Sequence, residues 1–155
     1  MHKKLFKDRL LEHRRLCIEA KSASDATQSA VAQHICVSVN GYFETYIKKS
    51  MGELFRKRCD PKAFRLITRV VKGHYNFKSE KVVSFFNVMY PERAETVQDY
   101  LKENDVFSDA IGSIVGNKNT IAHEGRSSVT LIRVDGWIKV IVECLDDFDH
   151  VCFQQ

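Results

Sequence analysis

Residues 31–54, VAQHICVSVNGYFETYIKKSMGEL, place apolar side chains at three- and four-residue intervals on two faces of a single helix. Val31, Ile35, Val39, Tyr42 and Tyr46 form one line, and Cys36, Phe43, Ile47, Met51 and Leu54 form the other. A helix at the rim of a domain needs one apolar stripe, so a helix with two belongs in the middle of a bundle. Ser24 or Asp25 can cap its start, and the basic run Arg56, Lys57 and Arg58 suits its C-terminal dipole.

The flanking segments repeat the helical period. Leu5, Phe6, Leu10, Leu16 and Cys17 stripe an otherwise charged first segment, as on an outer amphipathic helix. Asp60-Pro61 reads as a cap and a first helical position, opening a short helix through Phe64, Ile67 and Val71 to a stop at Gly73. Further helices are expected from Ser79, from Pro91 to about Lys102, and from Asp105, where Phe107, Ile111, Ile114 and Lys118 share one stripe. Residues 127–132, SSVTLI, are rich in β-branched side chains and are expected to be briefly extended before a last helix from about Asp135. The reading is all-α: a single helical bundle of six or seven helices over residues 1–155, with no internal repeat and no linker long enough to divide it.

Composition supports this and removes several classes of function. With 44% hydrophobic residues there is material for a core, and two prolines and seven glycines are too few for a sandwich or barrel of many tight turns. Five cysteines, without a Cys-x-x-Cys pair, predict free thiols in a reducing cytosol rather than a disulfide framework or structural zinc. No uninterrupted apolar run resembles a signal peptide or a membrane span, so a cytoplasmic protein without membrane contact is expected. No His-x-x-x-His spacing or carboxylate cluster supports a metal site, and no cofactor is expected. A net charge of +4 permits a polyanionic partner without requiring one.

The chemistry concentrates in GNKNTIAHEG, residues 116–125. On a helix Asn119 and His123 share a face, whereas Lys118 and His123 stand about 140° apart and cannot both face one ligand. Either His123 sits in a fraying last turn before Gly125, or a second copy of the helix across a two-fold axis brings paired cations, amides and imidazoles into one cleft. Such a cleft suits metal-free phosphodiester chemistry: histidine moves protons near neutral pH, lysine stabilises charge on phosphorus and an amide orients the phosphate. The plain alternative is a polar helix end with a solvated histidine, terminated by a left-handed Gly125.

KNTIAHEG follows an apolar helix and precedes SSVTL and a terminal amphipathic helix. This arrangement resembles the signature of the HEPN superfamily, in which an arginine is followed by a polar residue and, a few residues on, a histidine. The segment HICVSVNGYFETYIKKSM, residues 34–51, is similar to the long second helix of the RiboL-PSP-type branch, with its aromatic–Glu pair at Phe43 and Glu44. The resemblance implies a dimeric helical bundle acting as a metal-independent endoribonuclease of a toxin or antiviral defence system, with RNA as substrate and an antitoxin or defence component as possible partner protein. It also implies catalytic roles for Lys118 as stabiliser, Asn119 as orienter and His123 as general acid or base. Lys118 stands where the family has arginine; it keeps the charge but not the planar fork that grips phosphate with two bonds. That departure keeps two outcomes open, a slower nuclease or a non-catalytic module that binds RNA, a nucleotide or a protein. Glu44 either pairs with a cation inside the bundle or faces the cleft, and Arg126 could lend a guanidinium from the next turn.

Outside that motif, His34 is expected in the core, and His13 and His150 at the surface. The basic residues of 56–59 with Lys62, Arg65 and Arg69 read first as a solvated face and second as a grip on RNA backbone. Tyr75 and Phe77 read first as plugs of a core edge and second as base-stacking groups.

Overall fold

In the computed structural model, which describes residues 1–154, side-chain caps open three of the seven α-helices. The chain runs α1 (His2–Glu19), a short 3-10 turn (Ala20–Ser22), α2 (Asp25–Arg56), α3 (Pro61–Lys72), α4 (Ser79–Met89), α5 (Pro91–Glu103), α6 (Asp105–Glu124) and α7 (Leu131–Phe153). The Ser24 hydroxyl accepts from the Thr27 amide at 3.3 Å to open α2. Asp60 accepts from the Lys62 and Ala63 amides at 2.8 and 3.2 Å, with Pro61 in the first turn of α3. Gly125 takes φ +75° and returns its amide to the Ile121 carbonyl at 2.9 Å, ending α6 in the left-handed conformation that glycine adopts without strain. No strand occurs among the described residues.

One boundary differs from the sequence reading. The last helix starts at Leu131 rather than near Asp135; Thr130 is extended as expected, but Leu131 and Ile132 are already helical. The Thr130 hydroxyl accepts from the Arg133 amide at 3.4 Å, and Leu131, Val134 and Ile138 are buried at helical spacing. Burial of that stripe overrides the weak β preference of the segment.

The central helix is α2, which packs against α1, α3, α6 and α7. Its two apolar lines are both used: Ile35, Val39 and Tyr46 are buried, and so are Cys36, Phe43, Ile47 and Met51. Aromatic rings bind the bundle together, with Phe148 of α7 at 5.9 Å from Phe43 and 4.9 Å from Phe107 between ring centres. Inside this core the Tyr46 hydroxyl donates to Asp149 at 2.8 Å, and burial followed by the Asp149 charge pushes the phenol well above its usual range. Burial likewise raises the Cys17 and Cys36 thiols, to about 11 and about 12, so they stay protonated and act as small apolar groups. All five cysteines are free, three of them buried. Among the described residues no helix is long and apolar enough to cross a membrane.

The seam between α1 and α7 is ionic. Lys3 and Lys7 approach Asp146 at 3.0 and 2.9 Å, and Arg14 meets Asp135 at 2.8 Å. Pairs of this kind near the surface contribute little stability each.

Candidate functional site

The helical spacing of α6 fixes where its polar residues can go. Ile114 and Val115 are buried, which turns Lys118, one turn further on, inward along the same side. Lys118 is half-buried, and its ammonium donates to Asn76 Oδ1 at 3.0 Å and more distantly to Asn119 Oδ1 at 3.5 Å. Asn76 lies in the connection between α3 and α4, and at φ 57° it is the one non-glycine residue with positive φ among those described. Asparagine tolerates this left-handed conformation better than most side chains. The conformation lets Asn76 act in two directions, since its amide N–H also donates to Glu44 Oε1 at 2.7 Å.

Glu44 completes the arrangement from α2. Its Oε1 accepts from Asn40 Nδ2 at 3.1 Å, and its Oε2 lies 4.0 Å from Lys48 Nζ. Of the two roles expected for Glu44, the structure shows a loose pairing with the Lys48 cation; its shorter contact, to Asn76, anchors the 73–78 connection and was not expected. Carboxylate and ammonium are thus joined through one residue: Glu44 holds the backbone of Asn76, and the side chain of Asn76 holds Lys118. Hydrogen bonds to charged groups are the stronger kind, so this link fixes the lysine against the bundle. The buried Asn40 Oδ1 beside it has no hydrogen-bond partner among the described residues.

His123 stands apart from this link. It is exposed in the last turn of α6 and shares no hydrogen bond with Lys118 among the described residues. Gly112, Gly116 and Thr120 fall near the same side of the helix as His123. A side chain added at Gly112 or Gly116 would meet nothing within 4 Å, so the backbone is open to close approach on that side. Arg126 follows Gly125, exposed, and forms no bond to the Lys118 group among the described residues.

Two histidines change places relative to expectation. His13 is buried, at 7% exposure, because it continues the Phe6, Leu10, Cys17 stripe of α1. Its ring stacks on Tyr42 at 5.6 Å and meets His34 edge-on at 6.2 Å, and neither ring nitrogen has a partner among the described residues. His34 is exposed instead, because it precedes Ile35 and lies off both apolar lines of α2. Phe77 is buried as a plug, at 1% exposure, while Tyr75 stands out at 64%. His150 is exposed as expected, and His74 packs on Phe85 at 5.0 Å. No group of three potential metal ligands occurs among the described residues.

Asn76 is the residue that sequence reasoning missed. The sequence signals only its backbone: an asparagine, able to turn left-handed, between two aromatics in a loop that begins at Gly73. No protein family, curated protein or solved structure matches the chain.

Proposed function

We propose that this protein acts on RNA as a HEPN-type, metal-independent endoribonuclease whose site is composite across a two-fold axis. The observation that carries this is the link from Glu44 through Asn76 to Lys118. It draws a carboxylate of α2 and the cation of the α6 motif, 74 positions apart in the chain, onto one polar patch. Structural ion pairing alone would join them directly, whereas here an amide intervenes and the lysine stays half-buried beside Asn119. Lys118 faces the 73–78 connection and His123 faces away, so productive chemistry pairs Lys118 of one protomer with His123 of the other. His123 then exchanges the proton of a ribose 2′-hydroxyl or of the leaving oxygen, Lys118 stabilises charge on phosphorus, and Asn119 orients the phosphate.

A second reading is a non-catalytic RNA-binding module, favoured by the engagement of the Lys118 ammonium with two amide oxygens. Incubation with labelled structured RNA in EDTA separates the two. On the nuclease reading His123→Ala lowers the cleavage rate by about 10² to 10⁴. Lys118→Ala lowers it by about 10² to 10³, and Lys118→Arg preserves or raises it by restoring two-point phosphate contact. Unchanged cleavage in His123→Ala sinks the catalytic assignment. Stability separates the same two residues: truncating exposed His123 is nearly neutral, while Lys118→Ala leaves Asn76 Oδ1 without its donor and costs about 1 kcal/mol.

A further inference from the structure

Basic charge is segregated along this chain. Residues 48–81 hold eleven Lys and Arg against three Asp and Glu, a net of +8. The remaining residues hold thirteen against seventeen, a net of −4, which together restore the +4 of the whole. The most regularly spaced part of this basic charge lies on α3. Lys62, Arg65, Arg69 and Lys72 recur at intervals of three and four, so they lie within an arc of about 80° and extend over about 15 Å of helix. All four are exposed, and between its capping Asp60 and Gly73 the segment contains no acidic residue. Among the described residues none of the four enters an ion pair. On α1, by contrast, Lys3, Lys7 and Arg14 are paired with α7 carboxylates at 2.8 to 3.0 Å. Tyr75, 64% exposed, follows the stripe and adjoins Asn76, the residue that holds Lys118.

We propose that the outer side of α3 is a tracking surface for single-stranded RNA. The four cations follow successive phosphates, and Tyr75 stacks on an unpaired base as the strand passes towards Asn76 and Lys118. The proposal rests on the RNA-directed reading of the α6 motif and adds to it the form of the substrate. A line of cations ending in an exposed aromatic is what a single strand requires, because bases of a duplex offer no free face for stacking. An anionic membrane is the weaker fit. Besides Tyr75, the exposed apolar side chains here are only Leu66 and Val70, a small area to insert into a lipid interface.

The test measures binding of labelled oligo-uridine of about twenty nucleotides across a salt series, in EDTA. The proteins compared are the wild type, the variant Lys62→Gln/Arg65→Gln/Arg69→Gln/Lys72→Gln, and a control of equal charge change, Lys4→Gln/Lys102→Gln/Arg133→Gln/Lys139→Gln. Neutralising α3 is expected to reduce the slope of log affinity against log salt by about 2 to 3, at about 0.7 per lost phosphate contact, while the control keeps the wild-type slope. Tyr75→Ala is expected to weaken binding about tenfold with the slope retained. Equal slope loss in both quadruple variants overturns the proposal, as does wild-type affinity for phosphatidylserine vesicles without affinity for RNA. A duplex of the same length bound as tightly as the single strand, with Tyr75→Ala silent, also overturns it. Cleavage of the same RNA, followed in parallel, keeps the two readings apart. An α3-dependent slope without cleavage retains this surface and removes the nuclease, and cleavage with an unchanged slope does the reverse.

Discussion

Burial holds the His13 imidazole below its usual range, with the His34 ring the next cause and nearby Arg9 adding to it, while Glu12 opposes. The folded protein therefore disfavours the protonated ring, whereas the unfolded chain takes up its proton near pH 6.5. As pH falls through about 6.5 towards the lower folded value, the unfolded state gains protons that the folded state refuses, and stability declines. Above that window His13 has no effect on the pH profile. His13→Phe, which keeps a ring against Tyr42, is expected to flatten that acid-side loss. It should also raise stability by about 1 kcal/mol near pH 7.5, because an unpartnered buried polar group disappears. Urea unfolding of both proteins at about pH 7.5 and 5.5 checks this, and an equal acid-side loss in the two would refute the assignment. The position of His13 was legible in principle, since Phe6, Leu10, His13 and Cys17 run at intervals of four, three and four. Its charged neighbours, Glu12 and Arg14, pointed the other way, and periodicity prevailed over them. His34 errs in the opposite sense: one residue of offset from Ile35 turns it about 100° out of the apolar line.

The helices themselves could be read because their ends are decided within a few residues. Asp60-Pro61 and Gly125 each work through backbone geometry or one short hydrogen bond, which local sequence specifies. The start of α7 was read four residues late, because the β-branched run around Thr130 masked its cap and the burial of Leu131 and Val134 comes from packing. On α6 the glycines give an element-scale prediction. With nothing within 4 Å of an added Cβ, Gly116→Ala should stabilise an isolated protomer by about 0.5 to 1 kcal/mol through reduced freedom of the unfolded chain. If a second copy seats against that side, as the composite site requires, the same methyl group must weaken self-association. Sedimentation and thermal unfolding of one variant thus report both effects. A melting temperature that rises without any loss of self-association would place the two-fold axis away from this side of α6 and refute the composite site.

At the scale of the whole molecule, the single-bundle architecture follows from one doubly apolar helix, and α2 does occupy the centre. Of the candidate residues read from the sequence, Glu44, Lys118 and Asn119 meet in one hydrogen-bonded group, while His123 stands outside it. What joins them was not legible, because the contact between Asn76 and Lys118 spans 42 positions and no local pattern encodes it. The placement of α3 has a consequence for how the fold breathes. Val71 is its one buried residue, and Phe64 and Ile67 reach a cleft of about 400 Å³ along α2 without being fully enclosed. A helix of twelve residues held along one partner has too little buried surface to share the full unfolding free energy of the bundle. Amide hydrogens of α3 are therefore expected to exchange through a low-energy local opening, while those around Val39, Phe43 and Ile47 exchange only on global unfolding. A ligand that grips α3 must close that opening, so its free energy of binding is written into the exchange rates of a single helix.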